Sequence, residues 1–581
     1  MNQSVELSSL IQDILCKSGE LMARFEFKPE ALLSHFEKTN HVFHDLQPIF
    51  EEITKDPKGV HDYYLAYAQE TQALLQTQLN HWSGIKTLSP TLDQRRFNAD
   101  EWRKHPFFLL ISQHYLLMKA HVEKFLAHID CKDHHLAKRA QFLMHQFFDA
   151  LSPENFLLTN PQVLAETVDS QGMNLLRGLQ HFLQDIDAGS TRWVMPITDR
   201  SAFKVGHDLA TTPGKVIFRN ELMELIQYLP QTKTTKAVPL LIIPPWINKY
   251  YILDLSPANS LVKWLVSQGI TVFMISWRNP VAEHAHMGLA EYVSLGPVAA
   301  IETIQQQLNV PKVSTLGFCI GGTLQSILLA YYKERQMDVI ASSTFLASLI
   351  DFSEPGDIGV FIHEQQVQAL EQHMNTQGYL EGEVMATAFN SLRATDLIWA
   401  VFVRHYLHGQ PHVPFDLLFW NSDTTNMPAA MHSEYLRGMY LENNLIKPGK
   451  IKIHQKPINV GAIDVPAFFL STQKDHIAPW QGTYRGFQLL KGPKTFVLGG
   501  SGHIAGIVIP PGKEKYGYYT NASSPEKPDD WFKNARSHTG SWWPEWLKWL
   551  KKHSGKTVKA ATFVDLPISS LGDAPGKYVH E

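Results

Sequence analysis

Three residue types suited to nucleophilic chemistry, a cysteine, an aspartate and a histidine, occur in that order at Cys319, Asp475 and His503. The cysteine lies in "STLGFCIGGTLQS" (314–326). There Gly317-Phe318-Cys319-Ile320-Gly321 fills the Gly-x-Ser-x-Gly frame of a nucleophile elbow with a thiol at its centre. An apolar run precedes the frame and the helical pattern "LQSILLAYY" follows it, so the spacing predicts a strand turning sharply into a helix. Glycines suit such a turn because it is strained and packs close to its neighbours. A helix N-terminus beside the sulfur favours negative charge there and on an oxyanion. The alternative, a buried cysteine with no chemical role, does not explain the strand–turn–helix context.

A thiol in an elbow needs a base and an acid to orient that base, expected later in the chain as acid and then histidine. Asp475 ends the strand-like "AFFLSTQKD", and His503 sits in "VLGGSGHIAG", a glycine-rich loop after another strand-like run. In that arrangement His503 takes the thiol proton, while Asp475 fixes its tautomer and stabilises the imidazolium. Asp351, closing "STFLASLID", and Asp254, in "YYILDLSP", are competing acids. Asp254 also reads as a turn or helix-cap residue, since Ser256-Pro257 follows, and is ranked as structural or supporting. The oxyanion hole is expected from the N–H of Ile320 and from a residue at or next to Ile247 in "PPWINKYY".

These residues need a scaffold. Up to about residue 200 the chain is rich in helix formers with apolar residues at helical spacing, as in "HPFFLLISQHYLLMKAHVEKFLAHI" and the stripe Val5, Leu7, Leu10, Ile11, Ile14 and Leu15. From about 201 short β-branched runs (238–244, 270–276, 313–318, 467–472 and 494–499) alternate with helical stretches (257–268, 288–308 and 322–335). That alternation predicts a mostly parallel sheet covered on both faces, an α/β-hydrolase fold preceded by a mostly helical domain over 1–200. Residues from about 351 to 450 break the rhythm and read as a cap inserted between core strands of the catalytic domain 201–581. The tail "SWWPEWLKWLKKHSG" reads as a final amphipathic helix whose tryptophans pack into the core.

Composition removes several function classes. The chain has 581 residues and a formal charge of −4, with 44% hydrophobic and 19% charged residues, which gives no basis for nucleic-acid binding. Only three cysteines occur, Cys16, Cys131 and Cys319, so a disulfide framework is not expected and a reducing compartment is. The N-terminus lacks the basic and apolar regions of a signal peptide, and no run of about 18 apolar residues suggests a transmembrane segment. "HIDCKDHH" (128–135) gathers His128, Cys131, Asp133, His134 and His135 without standard ligand spacing, so no metal is expected. "LGGSGHIAG" lacks the lysine and serine of a phosphate-binding loop.

Taken together, "GFCIGGT", "LIIPPWINKYYILDLSPANSLVKWLVSQG", "VFMISWRNP", "FWNSDTTNMP", "STQKDHIAPW" and "GGSGHIAGIVIPP" resemble a polyhydroxyalkanoate synthase. The length, the helical N-terminal part with "DEWRKHPFFLLISQHYLL", and Phe318 in the box are similar to class I enzymes. The resemblance implies polymerisation of (R)-3-hydroxyacyl-CoA, typically 3-hydroxybutyryl-CoA, with CoA released and no further cofactor. It implies Cys319 as the acyl-bearing nucleophile, His503 as base, and Asp475 either orienting His503 or activating the substrate hydroxyl. It also implies a homodimer, with Trp420 in a cap segment associated with dimer contacts, and a cytoplasmic enzyme at the surface of polyester granules, where granule-coat proteins are possible partners. Two other readings remain: a cysteine-dependent hydrolase of the same fold, and a non-catalytic granule-surface scaffold.

Overall fold

Eleven strands form one sheet in the computed structural model, which describes residues 9–17, 51–83, 96–129, 133–187, 195–561 and 567–581. In chain order they are β1 (Gly214–Arg219), β2 (Met223–Tyr228), β3 (Leu240–Ile243), β4 (Val272–Trp277), β5 (Val313–Phe318), β6 (Ile340–Leu346), β7 (Ala467–Thr472), β8 (Lys494–Gly499), β9 (Tyr518–Thr520), β10 (Arg536–His538) and β11 (Gly572–Asp573). Their order across the sheet is β10-β9-β8-β7-β6-β5-β3-β4-β2-β1-β11. The six strands from β8 to β4 are parallel, and the strands outside them pair antiparallel.

Parallel strands buried on both faces need apolar side chains at nearly every position, and β4, β5 and β7 are buried throughout. Alternate residues serve opposite faces. Leu241, Ile243, Phe273 and Ile275 join one core with helices Ala299–Leu308, Ile320–Glu334 and Trp480–Leu489. Leu240, Ile242, Val272 and Met274 join the other with Leu261–Ser267 and Trp543–His553. The tail tryptophans Trp542, Trp543 and Trp546 are buried there. The β1–β2 hairpin extends the sheet beyond the strands expected from sequence. The helix expected over 257–268 starts only at Leu261, because Ser260 is its N-cap and accepts from the Lys263 N–H at 2.8 Å.

The chain divides into two compact units: residues 1–199 with 389–413, and residues 200–388 with 414–581. The first is helical, with Pro57–Trp82, Pro106–His128, His134–Ala150, Pro161–Asp169 and Met173–Asp187. Asp133 and Asn160 cap two of these helices by accepting from two backbone N–H groups each. Phe97, Trp102, Phe108, Tyr115 and Phe148 fill its core. Residues 389–413, inside the interval read as a cap, belong to this helical unit. Arg96 there joins Asp149 at 2.5 Å and also bonds Thr395. Among the described residues no helix is long and apolar enough to cross a membrane.

Candidate active site

Strand order reverses at β3, which has β4 on one side and β5 on the other. Such a switch point leaves a crevice beyond the carboxyl ends of the two strands, where ligands bind in open α/β sheets. Cys319 leaves β5 at this edge, and residues 244–249 leave β3 beside it. Cys319 has φ +53° and ψ −126°, a strained conformation for a residue with a side chain, and costs about 1–3 kcal/mol. Its N–H donates to the Leu346 carbonyl at 2.9 Å, while its carbonyl accepts from Gly322 and Thr323. The first N–H groups of the helix Ile320–Glu334, that of Ile320 foremost, have no acceptor within the helix. The glycines of the frame are needed for space: a Cβ on Gly321 would lie 2.2 Å from the Ile243 carbonyl oxygen, and one on Gly317 would lie 2.4 Å from the Gly322 Cα.

His503 and Asp475 meet at the same edge. The Nδ1–H of His503 donates to Asp475 Oδ2 at 2.7 Å, and both residues are buried. Asp475 Oδ2 also accepts from the Thr472 hydroxyl at 3.3 Å, and Oδ1 accepts from the N–H groups of Ile477 and Ala478 at 2.9 Å each. With Nδ1 holding the proton, Nε2 is the basic nitrogen. Burial works against charge on His503, but the Asp475 carboxylate and Cys319, by charge and hydrogen bonding, hold its pKa well above the ordinary histidine value. His503 is therefore suited to take up a second proton as imidazolium. The Phe318 ring stacks on the His503 ring, with centroids 5.5 Å apart.

The other sequence candidates have contacts of their own. Asp351 accepts from the Ser353 N–H and the Asn443 side chain, and faces Arg485 at 3.8 Å. Asp254 is buried and accepts from the hydroxyls of Thr212 (2.5 Å) and Ser260 (2.6 Å), tying its turn to the start of the following helix. Burial pushes its carboxyl up to about 6 despite the hydrogen bonds from Ser260 and Thr212. Trp420 is buried within this chain, and its indole N–H donates to the Lys249 carbonyl at 2.7 Å. Ile247 lies in the loop after β3, half-buried.

Sequence reasoning did not single out Tyr435 and Tyr440, which interact electrostatically with Cys319 from the 351–450 interval. Burial first, then each other and the Cys319 charge, raise the Tyr435 hydroxyl; burial and the same charge raise that of Tyr440. Both stay protonated and can donate. Their rings pack edge-on against Phe352 at 6.0 and 5.0 Å, so an aromatic cluster carrying two hydroxyls lies within electrostatic range of Cys319. The tail helix also reaches the site: the indole N–H groups of Trp542 and Trp543 donate to the carbonyls of Gly506 and Ile507 at 3.0 Å each, fixing the His503 loop. No local pattern reveals these contacts, because each bridges distant parts of the chain.

The sequence cluster at 128–135 falls partly on Cys131, outside the described residues. Among the described residues, one group of potential metal ligands brings donor atoms within 4.8 Å of one another: Asp185, His405 and His412, in the helical unit. The His405 and His412 rings stack with centroids 3.7 Å apart and planes inclined by 24°, so their in-plane lone pairs run side by side instead of converging. Asp185 already accepts from the Tyr406 hydroxyl at 2.7 Å. The stack reads as packed imidazoles.

Comparison with known proteins adds to this geometry. A family model described as the poly-beta-hydroxybutyrate polymerase (PhaC) N-terminus matches residues 93–265, and one described as the alpha/beta hydrolase fold matches residues 239–509. The chain is 42% identical over 555 residues to a poly(3-hydroxyalkanoate) polymerase of Methylorubrum extorquens, covering 95% of this chain and 92% of that one. It is 39% identical over 529 residues to the poly(3-hydroxyalkanoate) polymerase subunit PhaC of Cupriavidus necator, covering 90% and 88%. Among solved structures it is similar to a monoacylglycerol lipase of Paleococcus ferrophilus at 16% identity and a TM-score of 0.32, over 57% of this chain and 99% of that one.

Proposed function

Because this chain belongs to the poly(3-hydroxyalkanoate) polymerase family, we propose that it polymerises (R)-3-hydroxyacyl-CoA, 3-hydroxybutyryl-CoA in the first instance, through an acyl thioester on Cys319. The observation that carries this reading is a cysteine, in place of serine, at a strained strand–helix junction within reach of a buried His503–Asp475 pair. His503 takes the thiol proton at Nε2, and the thiolate attacks the thioester carbonyl. The N–H groups of Ile320 and Ile247 hold the developing oxyanion. The carbonyl reforms, the bond to CoA sulfur breaks, and the imidazolium proton goes to the departing thiolate. In the second step the 3-hydroxyl of another acyl unit gives its proton to His503 and attacks the enzyme thioester; the oxygen ester forms as the bond to the Cys319 sulfur breaks, and the imidazolium proton returns to that sulfur.

Thiol chemistry suits this order. Exchange of one thioester for another conserves the acyl group's activation, and transfer to a hydroxyl is then downhill. A serine would form an oxygen ester at the first step and leave extension nearly balanced. Asp475 is assigned as orienting residue, because its two oxygens already accept from four donors and none of its contacts is left for substrate. CoA enters and leaves as part of substrate and product, so the chemistry calls for no cofactor. The chain length and Phe318 support a class I assignment, with a homodimer acting in the cytoplasm at the granule surface. In this reading residues 351–388 and 414–450 cover the site, and the helical N-terminal part supports association with granule, partner or second subunit.

The test is one assay on the full chain: 3-hydroxybutyryl-CoA is supplied, and free thiol and polymer are followed together. Stoichiometric CoA release with polymer, both abolished in Cys319→Ala, is expected. CoA release with soluble 3-hydroxybutyrate would identify a thioesterase, and undiminished polymer from Cys319→Ala would overturn the mechanism.

A further inference from the structure

We infer that Thr425 is a positioning residue for the oxyanion hole, an assignment that rests on the acyl-transfer reading above. The loop 244–249 supplies one of the two N–H donors, yet it has no regular structure and begins with two prolines that donate nothing. Its start lies against the elbow, since the carbonyls of Ile243 and Pro244 crowd the space a Cβ on Gly321 would occupy. Its later part is held by another stretch of chain. The Thr425 N–H donates to the Ile247 carbonyl at 2.9 Å, the Thr425 hydroxyl donates to the Trp246 carbonyl, and Asn248 forms an antiparallel bridge with Thr424.

A peptide unit is planar and trans, so the carbonyl of one residue and the N–H of the next point in opposite directions. Tying the Trp246 carbonyl to the Thr425 hydroxyl therefore turns the Ile247 N–H to the opposite side of the loop. Tying the Ile247 carbonyl to the Thr425 N–H does the same for Asn248. One residue sets the orientation of two successive peptide planes, and its side chain controls the plane that carries the Ile247 donor. Thr425 is 2% exposed, so water does not compete for these bonds. Oxyanion stabilisation depends on such donors being oriented before charge develops. A plane free to rotate would lose that advantage without touching the nucleophile.

The experiment uses the full-length enzyme and compares Thr425→Val, which keeps shape and backbone N–H but loses the hydroxyl, with Thr425→Ser, which keeps the hydroxyl. Two rates are read at Cys319: acylation by 3-hydroxybutyryl-CoA, as CoA release, and alkylation by iodoacetamide, which needs the thiolate but forms no oxyanion. Thr425→Val is expected to slow CoA release about 10- to 100-fold in kcat, somewhat less than outright removal of an oxyanion donor. Its KM and alkylation rate stay within about twofold of wild type, and Thr425→Ser restores most of the acylation rate. Wild-type acylation in Thr425→Val would overturn the assignment, as would alkylation falling in parallel with acylation, or failure of Thr425→Ser to recover. The underlying reading fails separately, in the unmodified enzyme, if no CoA is released or if Cys319→Ala releases it.

Discussion

Asp254 shows how a buried acid can matter without touching the chemistry. Its carboxyl, pushed up to about 6 by burial, would titrate near 3.8 in an unfolded chain. Below both values the group is neutral in either state. Between about pH 4 and 6 the folded protein keeps a proton that the unfolded chain releases, so this group lowers stability progressively as pH rises through that window and then levels off. Asp254→Asn is expected to flatten this part of the profile, read as the change in urea midpoint between pH 4.5 and 6.5. An unchanged slope would mean that other groups set it. The residues proposed for the chemistry had the more legible placement: Cys319, Asp475 and His503 each follow a strand-like run and fall in an order that the frame demands. Tyr435, Tyr440 and Thr425 were not legible, because their contacts come from parts of the chain brought together by folding.

Elements position the site through close backbone approach more than through side-chain bonding. Gly321 lets the helix Ile320–Glu334 start directly beneath the end of β3. Gly321→Ala would place a methyl 2.2 Å from a backbone oxygen that can move only with its strand. A loss of about 1–3 kcal/mol is expected from such overpacking, measured as a lowered urea midpoint, together with slower iodoacetamide reaction at Cys319. The central strands were visible in the sequence because burial on both faces demands continuous apolar runs. The β1–β2 hairpin was hidden by its polar residues. Glu224 is fully buried in β2, paired with Arg219 and accepting from the N–H groups of Lys577 and Tyr578 at 2.8 and 3.1 Å. A partner more than 350 residues away leaves no local trace.

At the scale of the whole molecule the chain does not divide at a single boundary. Residues 389–413 return to the helical unit, where Arg96, with its side chain 6% exposed, bonds Asp149 and Thr395. Arg96→Ala removes one partner of the Asp149 carboxylate but leaves Lys119 at 3.7 Å and the Thr395 hydroxyl at 2.9 Å, so a loss of about 1–3 kcal/mol from the helical unit is expected. Thermal unfolding followed with limited proteolysis would show cleavage within 389–413 at lower temperature than in wild type. Intact protection of that segment would place the stabilising contacts elsewhere. The change from helical to strand–helix alternation near residue 200 was legible from hydrophobic period. The return of an internal segment was not, since helices of either unit carry the same pattern.

The aromatic cluster of Phe352, Tyr435 and Tyr440 has a consequence for the product. Under the proposed reaction every enzyme-bound thioester has two competing acceptors, a hydroxyl that lengthens the chain and a water molecule that ends it. The mean degree of polymerisation is the ratio of those two rates, whatever the speed of initiation. Under that reaction, rings that limit water near one sulfur atom would help set the molar mass, and through it the toughness and melt viscosity, of a bulk plastic.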